Sequence, residues 1–281
     1  MQIVPYQAPC GARIESIQLN DGTLKSEDRS ALIDALHQYH VVAIPGAALD
    51  DDALERFSLS LGPFGDDPFI APIANRNHII AVCRRADETA PIFAENWHTD
   101  WSFQKTPPAA TCLQARIIPP VGGQTCFANQ QLAAAELPSA LRATLTGRNA
   151  IHSAKLPYAP EGVYGDVDRS SDRSMDIRAD QSAYAVQAHP ILSAHPATGI
   201  ERIFGCVGYI VGIEGLPDDE ALDILLELMT YQSDDRFVYT HHWEPEMLLI
   251  WDNRSVLHKA TGGYEGYERL LHRTTVSYFE A

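Results

Sequence analysis

The chain has 281 residues, 45% of them hydrophobic and 21% charged, enough for a sizeable core and within the range of one large β domain. A formal net charge of −16 argues against nucleic acid or an anionic membrane surface as partner, although the local field of a site can still receive an anion. Five cysteines (Cys10, Cys83, Cys112, Cys126 and Cys206), without a C-x-x-C pair, a leader or a membrane-length apolar run, lead us to expect a cytoplasmic protein with reduced thiols.

In chain order, residues 12–19 alternate loosely and predict a first strand. Ser26 is placed to cap a helix running to about His40, with Leu32, Leu36 and Tyr39 on one face. Val41–Ile44 reads as a buried strand stopped by Pro45-Gly46. A second helix is expected from the acidic cluster Asp50-Asp51-Asp52, whose charge suits the helix dipole, to Gly62. His37 and His40 read as structural. Residues 63–77 read as a loop and residues 78–83 as a strand. After a further loop comes Trp97-His98-Thr99-Asp100-Trp101, then Pro107-Pro108 and a strand over Ala110–Ile117. Gly122-Gly123 turns the chain into residues 124–128, and residues 130–147 are expected to be helical in two pieces divided at Pro138.

Residues 155–182 are long, polar and without periodicity, the composition of a lid over a site or of a plain surface loop. Strands resume near 184–189 and 202–204, joined by a turn through His195 to Gly199, with another short one at 209–213. Pro217 opens an amphipathic helix with Leu222, Leu225, Leu226 and Met229 assigned to the inward face. Strand signals at 237–242, 247–251 and 269–278 close the chain. No repeat appears, and no glycine-rich fingerprint joins a strand to a helix, which disfavours a nucleotide-binding α/β fold. Many short strands with helices outside predict one mostly β domain with flanking helices, its core an antiparallel jelly roll or double-stranded β-helix.

If residues 97–101 are extended, His98 and Asp100 point to the same side. That is two thirds of the 2-His-1-carboxylate set that holds non-haem Fe(II), although on its own a bare H-x-D is more often a solvated surface pair. Candidates for a second histidine are His152, His189, His195, His241, His242 and His258. In the last strand Arg269, Leu271, Arg273, Thr275 and Ser277 share a face. Two arginines on an interior face call for anions. Four rises of about 3.3 Å place their Cα atoms about 13 Å apart, so they would serve two separate anionic groups. The arginine fork matches carboxylate or sulfonate.

The sequence resembles the taurine/2,4-dichlorophenoxyacetate dioxygenase family of Fe(II)- and 2-oxoglutarate-dependent oxygenases. The resemblance is carried by Trp97-His98-Thr99-Asp100 with Phe103 and Pro107-Pro108, by Gly122-Gly123-Gln124-Thr125, by Trp251-Asp252-Asn253-Arg254 with His258, and by Arg269 with His272-Arg273. These pieces keep the family's order and spacing from about residue 10 to the end. The resemblance implies His98, Asp100 and His258 as iron ligands, and Thr125 with Arg269 as partners of the distal carboxylate of 2-oxoglutarate. It implies Arg273 at an acidic group of the substrate. The implied reaction consumes O₂, converts 2-oxoglutarate to succinate and CO₂, and removes hydrogen from a substrate carbon. Hydroxylation, or a cleavage or desaturation that follows it, is the implied outcome; Asp100 retains the carboxylate that family halogenases lack.

In the loop near 64–75 and at Ala94 the sequence departs from taurine-using members. Phe69, Ile70, Trp101 and Tyr209 are therefore expected as apolar walls for a larger organic substrate carrying a carboxylate or sulfonate. Self-association is also expected from the family. Two other classes stay open at this stage. One is a non-catalytic protein that binds metal or 2-oxoglutarate; the other is a zinc hydrolase, which would leave Thr125 and Arg269 without a purpose.

Overall fold

Val41-Val42-Ala43-Ile44 and Leu248-Leu249-Ile250-Trp251 are apolar at every position, the pattern of strands covered on both faces. A computed structural model describes residues 1–19, 21–166, 168 and 172–280. The two segments pair antiparallel, Leu248 opposite Ile44 and Trp251 opposite Val41. The strands are β1 (Gln2–Pro5), β2 (Ala12–Glu15), β3 (Val41–Ile44), β4 (Ile80–Arg84), β5 (Ala110–Ile117), β6 (Thr125–Asn129), β7 (Asn149–Ser153), β8 (Val186–Pro190), β9 (Leu192–Ala194), β10 (Glu201–Ile203), β11 (Ile210–Ile213), β12 (Val238–His241), β13 (Leu248–Asp252), β14 (Val256–Ala260) and β15 (Arg269–Val276). The helices are α1 (Ser26–Tyr39), α2 (Asp51–Leu61), α3 (Gln130–Ala135), α4 (Ser139–Leu145), α5 (Lys155–Tyr158) and α6 (Asp218–Gln232).

One large sheet has the order β1-β2-β3-β13-β5-β15-β4, and β12-β6-β14 form a smaller one. Period-2 alternation assigns each residue of the doubly covered strands to a side. Val42, Ile44, Leu248 and Ile250 meet Leu32, Leu36, Leu54 and Phe57 of the two N-terminal helices. Val41, Ala43, Leu249, Trp251 and Leu271 pack instead against Phe127 and Val256 of the smaller sheet. Each of the larger aliphatic side chains contributes about 1.5–3 kcal/mol when fully buried. Two sheets face to face, with helices outside the larger, make the expected jelly roll. A second core, built from α3, α4 and α6 against β7, β10 and β11, lies in the two helical insertions.

Several local expectations change. Lys25, without a side-chain hydrogen bond, is the N-cap of α1, and Ser26 is its first helical residue. Asp50 does cap α2, accepting from the Ala53 N–H at 2.7 Å. The inward stripe of α6 is Ala221, Leu225, Leu228 and Gln232, whereas Leu222 and Leu226 are each 49% exposed. Ala221 begins that i, i+4, i+7 series but is too small to register as an anchor, so the expected face was rotated by one residue. The short strands β1, β7, β9 and β14 carry no strong apolar alternation and were not anticipated. Residues 155–182 contain α5 and the start of a 3₁₀ turn at Gln181–Tyr184, and they bury Tyr158, Ala159, Met175 and Ala179; residues 167 and 169–171 of that segment lie outside the described residues. No described helix is long and apolar enough to cross a membrane.

Candidate active site

His98 is held by a single antiparallel bridge rather than a strand. Its N–H donates to the His258 carbonyl at 3.0 Å, and the His258 N–H donates back at 2.7 Å. The chain then turns, with Trp101 at φ +52°. Bridge and turn together bring Asp100 to the two imidazoles, the convergence that an extended segment was expected to give. Asp100 Oδ1 stands 3.7 Å from Nε2 of both histidines, and one ligand atom from each of the three residues lies within 4.8 Å of the others.

Hydrogen bonds orient this group from behind. The Asn96 carbonyl lies 2.9 Å from His98 Nδ1, so the tautomer protonated at Nδ1 leaves Nε2 free. Thr111 donates to Asp100 Oδ2 at 2.6 Å, Asn253 Nδ2 donates to Thr111 at 2.9 Å, and Trp251 Nε1 donates to Asn253 Oδ1 at 2.8 Å. Thus Trp251 and Asn253 aim a carboxylate supplied by another loop, while Asp252 anchors their turn to Arg254 and His195. Thr111 was missed because it lies inside an apolar strand; Asn253 was visible only as part of a motif.

Burial pushes His258 down to about 3, helped by His98 and Arg273, and also lowers His98. Burial opposes the Asp100 charge, but Arg273 and the histidines outweigh it and keep the carboxyl below its ordinary range. Two neutral imidazoles and a carboxylate are the protonation states that a divalent cation needs. Asp67, Asp100 and Arg273 leave one negative charge uncompensated in this buried group, so the residues fit a cation. The other histidines are used elsewhere: His152 meets Ser102, His189 the Gln104 carbonyl, His195 Asp252 and His241 Tyr239, while His242 is exposed.

A narrow cavity beside His98 and His258 is lined by Thr125 and Arg269. Arg269 is buried, makes no ion pair among the described residues, and leaves Nε unpartnered. Burial lowers its pKa to about 10. Trp243 Nε1 donates to Thr125 Oγ at 3.1 Å, which leaves the threonine's own proton for another acceptor. Gly123 makes room for the arginine: it has φ +67°, and a Cβ there would stand 3.3 Å from Arg269 Cδ and Nε. An orphaned guanidinium and a free hydroxyl proton suit the distal carboxylate of 2-oxoglutarate.

Arg273, two face-repeats further along β15, lines the same narrow cavity and also leaves Nε unpartnered, but its Nη atoms have carboxylate partners. Nη2 donates to Asp67 Oδ1 and Nη1 approaches Asp100 Oδ1 at 3.4 Å. Asp67 also accepts from Trp101 Nε1 at 2.8 Å and from Thr275 at 3.4 Å. Burial acts against the Arg273 charge, and the two carboxylates more than restore it. The expected seat for a substrate anion therefore already holds a carboxylate of the chain.

An open cavity of about 600 Å³ begins at His98 and is lined by Phe93, Trp97, Leu156, Tyr158, Val163, Tyr164, Tyr209 and Met229, among others. Of the four expected wall residues only Tyr209 lines it. Phe69, Ile70 and Trp101 are packed behind: Phe69 stacks on Tyr158 at 4.8 Å between centroids, and Trp101 meets the same ring at 5.6 Å. Tyr158 and Tyr164 belong to the polar segment singled out as a lid or loop, which was their one signal.

Residues 2–275 match the family model described as taurine catabolism dioxygenase TauD, TfdA family. The chain belongs to this family. An alpha-ketoglutarate-dependent 2,4-dichlorophenoxyacetate dioxygenase of Cupriavidus pinatubonensis is 30% identical over 288 residues, covering 96% of both chains. An alpha-ketoglutarate-dependent sulfate ester dioxygenase of Pseudomonas putida is 27% identical, covering 99% of this chain and 89% of that one. The crystal structure of a taurine dioxygenase from Burkholderia xenovorans superimposes with a TM-score of 0.79 at 24% identity, over 98% of this chain and 90% of that one, which shows the shared fold. The protein is accordingly a dioxygenase of the 2-oxoglutarate-dependent, non-haem iron class, with Fe(II), 2-oxoglutarate and O₂ as its cofactor and co-substrates.

Proposed function

We propose that His98, Asp100 and His258 hold Fe(II), that Thr125 and Arg269 hold the distal carboxylate of 2-oxoglutarate, and that the open cavity receives an organic substrate whose C–H bond is hydroxylated. The convergence of the three ligand atoms between that cavity and the orphaned Arg269 carries this reading. Bound Fe(II) supplies the oxidising chemistry: one oxygen atom of O₂ goes to the substrate carbon and the other to succinate, with release of CO₂.

The chain's own part is positioning and shielding. Asn96 and Asn253 keep the ligands in their binding tautomer and orientation, and Trp251 and Phe127 pack against the His258 ring. The aromatic cavity excludes water from the reacting carbon. Residues 155–166 contribute Leu156, Pro157, Tyr158, Val163 and Tyr164 to its wall and serve as its cover. Slower amide exchange there with bound ligands is the expected sign, and unchanged exchange would make them a fixed wall. A cytoplasmic location accompanies this reading, supported by five free cysteines.

The relatives named above act on a phenoxy acid and on sulfate esters. Supported by these, we assign the substrate an aryl or alkyl body of comparable size. The test supplies Fe(II), ascorbate and 2-oxoglutarate with a panel of aryloxyalkanoates, sulfonates, sulfate esters, amino-acid derivatives and their uncharged amides, and measures succinate. Substrate-dependent succinate release is expected. Tight 2-oxoglutarate binding without succinate would make the chain a binding protein, and substrate loss with zinc in place of iron and no succinate would make it a hydrolase.

A further inference from the structure

We infer that Asp67 permanently fills the acidic seat at Arg273, so that the part of the substrate lying beside the metal ligands is uncharged. This rests on the proposed use of the open cavity and sharpens its substrate class. Three donors converge on the Asp67 carboxylate: the Arg273 guanidinium, the Trp101 indole and the Thr275 hydroxyl. They form a complete carboxylate site, and it is already occupied. A substrate acid entering beside Arg273 would stand against both Asp67 and Asp100, where like charges cost most because water is excluded.

Asp67 is not poised to leave. Its loop is pinned on one side by the Gly65 N–H to Thr275 carbonyl bond at 3.0 Å and a β-bridge from Phe64 to Val276. On the other side the Arg178 N–H donates to the Phe69 carbonyl at 2.8 Å, and Ile70 bridges to Ile177. Gly65 itself is wedged, since a Cβ there would meet Thr275 Oγ at 2.8 Å. Phe69, the residue next but one, is stacked on Tyr158. The described lining of the open cavity contains no arginine, lysine, aspartate or glutamate, so a carboxylate drawn into it would lose hydration without a partner. The phenols of Tyr158 and Tyr209, which interact with one another, offer neutral hydrogen bonds instead. The matching ligand is an arene or alkyl chain with an ether, ester, amide or hydroxyl near the reacting carbon, any acidic group being carried at a distance from it.

The test uses the Fe(II)·2-oxoglutarate protein without oxygen and two probes of equal shape, phenoxyacetate and phenoxyacetamide. Wild type should bind the acid no more tightly than the amide. Asp67→Gly should bind the acid roughly tenfold more tightly than wild type does, by exposing the guanidinium, and leave the amide within roughly threefold. Formate, which replaces the missing carboxylate, should raise the thermal midpoint of Asp67→Gly but not of wild type, and Arg273→Met in the same variant should remove that rise. If Asp67→Gly does not fold, Asp67→Asn keeps the acceptor for Trp101 and is read by the same acid-to-amide ratio. Wild type favouring the acid by roughly tenfold, or formate stabilising wild type as much as the variant, would overturn the inference and mean that substrate acids displace Asp67. Absence of succinate with every substrate would instead overturn the proposed activity, and the formate comparison would stand apart from it.

Discussion

Arg269 and Arg273 share one face of one strand and both leave Nε unpartnered, yet among the described residues only Arg273 is paired with carboxylates. The strand supplies the same residue type to both ends of the site and cannot distinguish them. The difference comes from what lies opposite: at Arg269 a threonine whose proton is free, at Arg273 a carboxylate carried in by a loop more than two hundred residues earlier. Both guanidinia line the narrow cavity, but one without a carboxylate partner is free to receive an anion, whereas one held by two carboxylates is already neutralised by the chain.

The proposed metal ligands are where the largest effect is expected. His98→Ala, Asp100→Ala or His258→Ala should abolish succinate formation and weaken Fe(II) binding measured by equilibrium dialysis, with far-ultraviolet circular dichroism unchanged. Ordinary turnover in any one of them would remove that residue from the set. Asp100→Ala is the sharpest, since it also withdraws a partner from Arg273 but none from Arg269.

Next comes stability of the ligand-free protein, where the arginines should part company. Arg273→Met leaves Asp67 and Asp100 without their counter-charge and should cost about 3–5 kcal/mol in urea unfolding, the usual range for breaking a buried ion pair. Arg269→Met removes a lone buried charge and should leave stability unchanged or raise it. Equal losses would mean that Arg269 has a structural partner after all.

Binding of 2-oxoglutarate should show the reverse order. Losing a charge-assisted contact in a dry site costs about 2–5 kcal/mol, so Arg269→Ala should raise the 2-oxoglutarate requirement at least roughly tenfold. Thr125→Val, which deletes one hydrogen bond to a charged group, should cost about 1.5–3 kcal/mol, and Trp243→Phe less, since it only releases the threonine hydroxyl. Anaerobic titration of the Fe(II) protein, followed by its metal-to-ligand absorption band, measures all three. Arg273→Met should leave that titration nearly unchanged; an effect as large as that of Arg269→Ala would erase the distinction between the two ends.

What the sequence could show follows from how far each signal reaches. Doubly apolar runs announce strands buried on both faces, so β3 was legible to the residue and β13 to within one. The spacing of Arg269 and Arg273 carries over because alternation on a strand is local, whereas His98 and Asp100 converge through a bridge and a turn that the spacing does not specify. Asp67 was illegible as a functional residue: it stands in a stretch of Gly, Asp and Pro that reads as loop, and its partners lie in Trp101, Arg273 and Thr275. The cavity wall was misplaced for the same reason. Phe69, Ile70 and Trp101 are apolar enough to line a pocket, but whether they face it depends on Tyr158, which arrives from a segment with no periodicity at all. The face of α6 was missed by one residue because an alanine can be buried without contributing to an apolar stripe.

The two backbone hydrogen bonds between His98 and His258 have a kinetic consequence. Residues so distant in the chain meet cheaply only after β5–β15 and β6–β14 have paired, because those ladders have by then closed most of the intervening loop. This ordering predicts that the bridge forms late and that iron, if held by these two residues as proposed above, binds after the rate-limiting step. Fe(II) should slow unfolding in stopped-flow measurements while leaving the refolding rate unchanged. A metal-dependent refolding rate would instead place this seam in the nucleus. By this account the ion governs how long the finished molecule lasts rather than how quickly it is made.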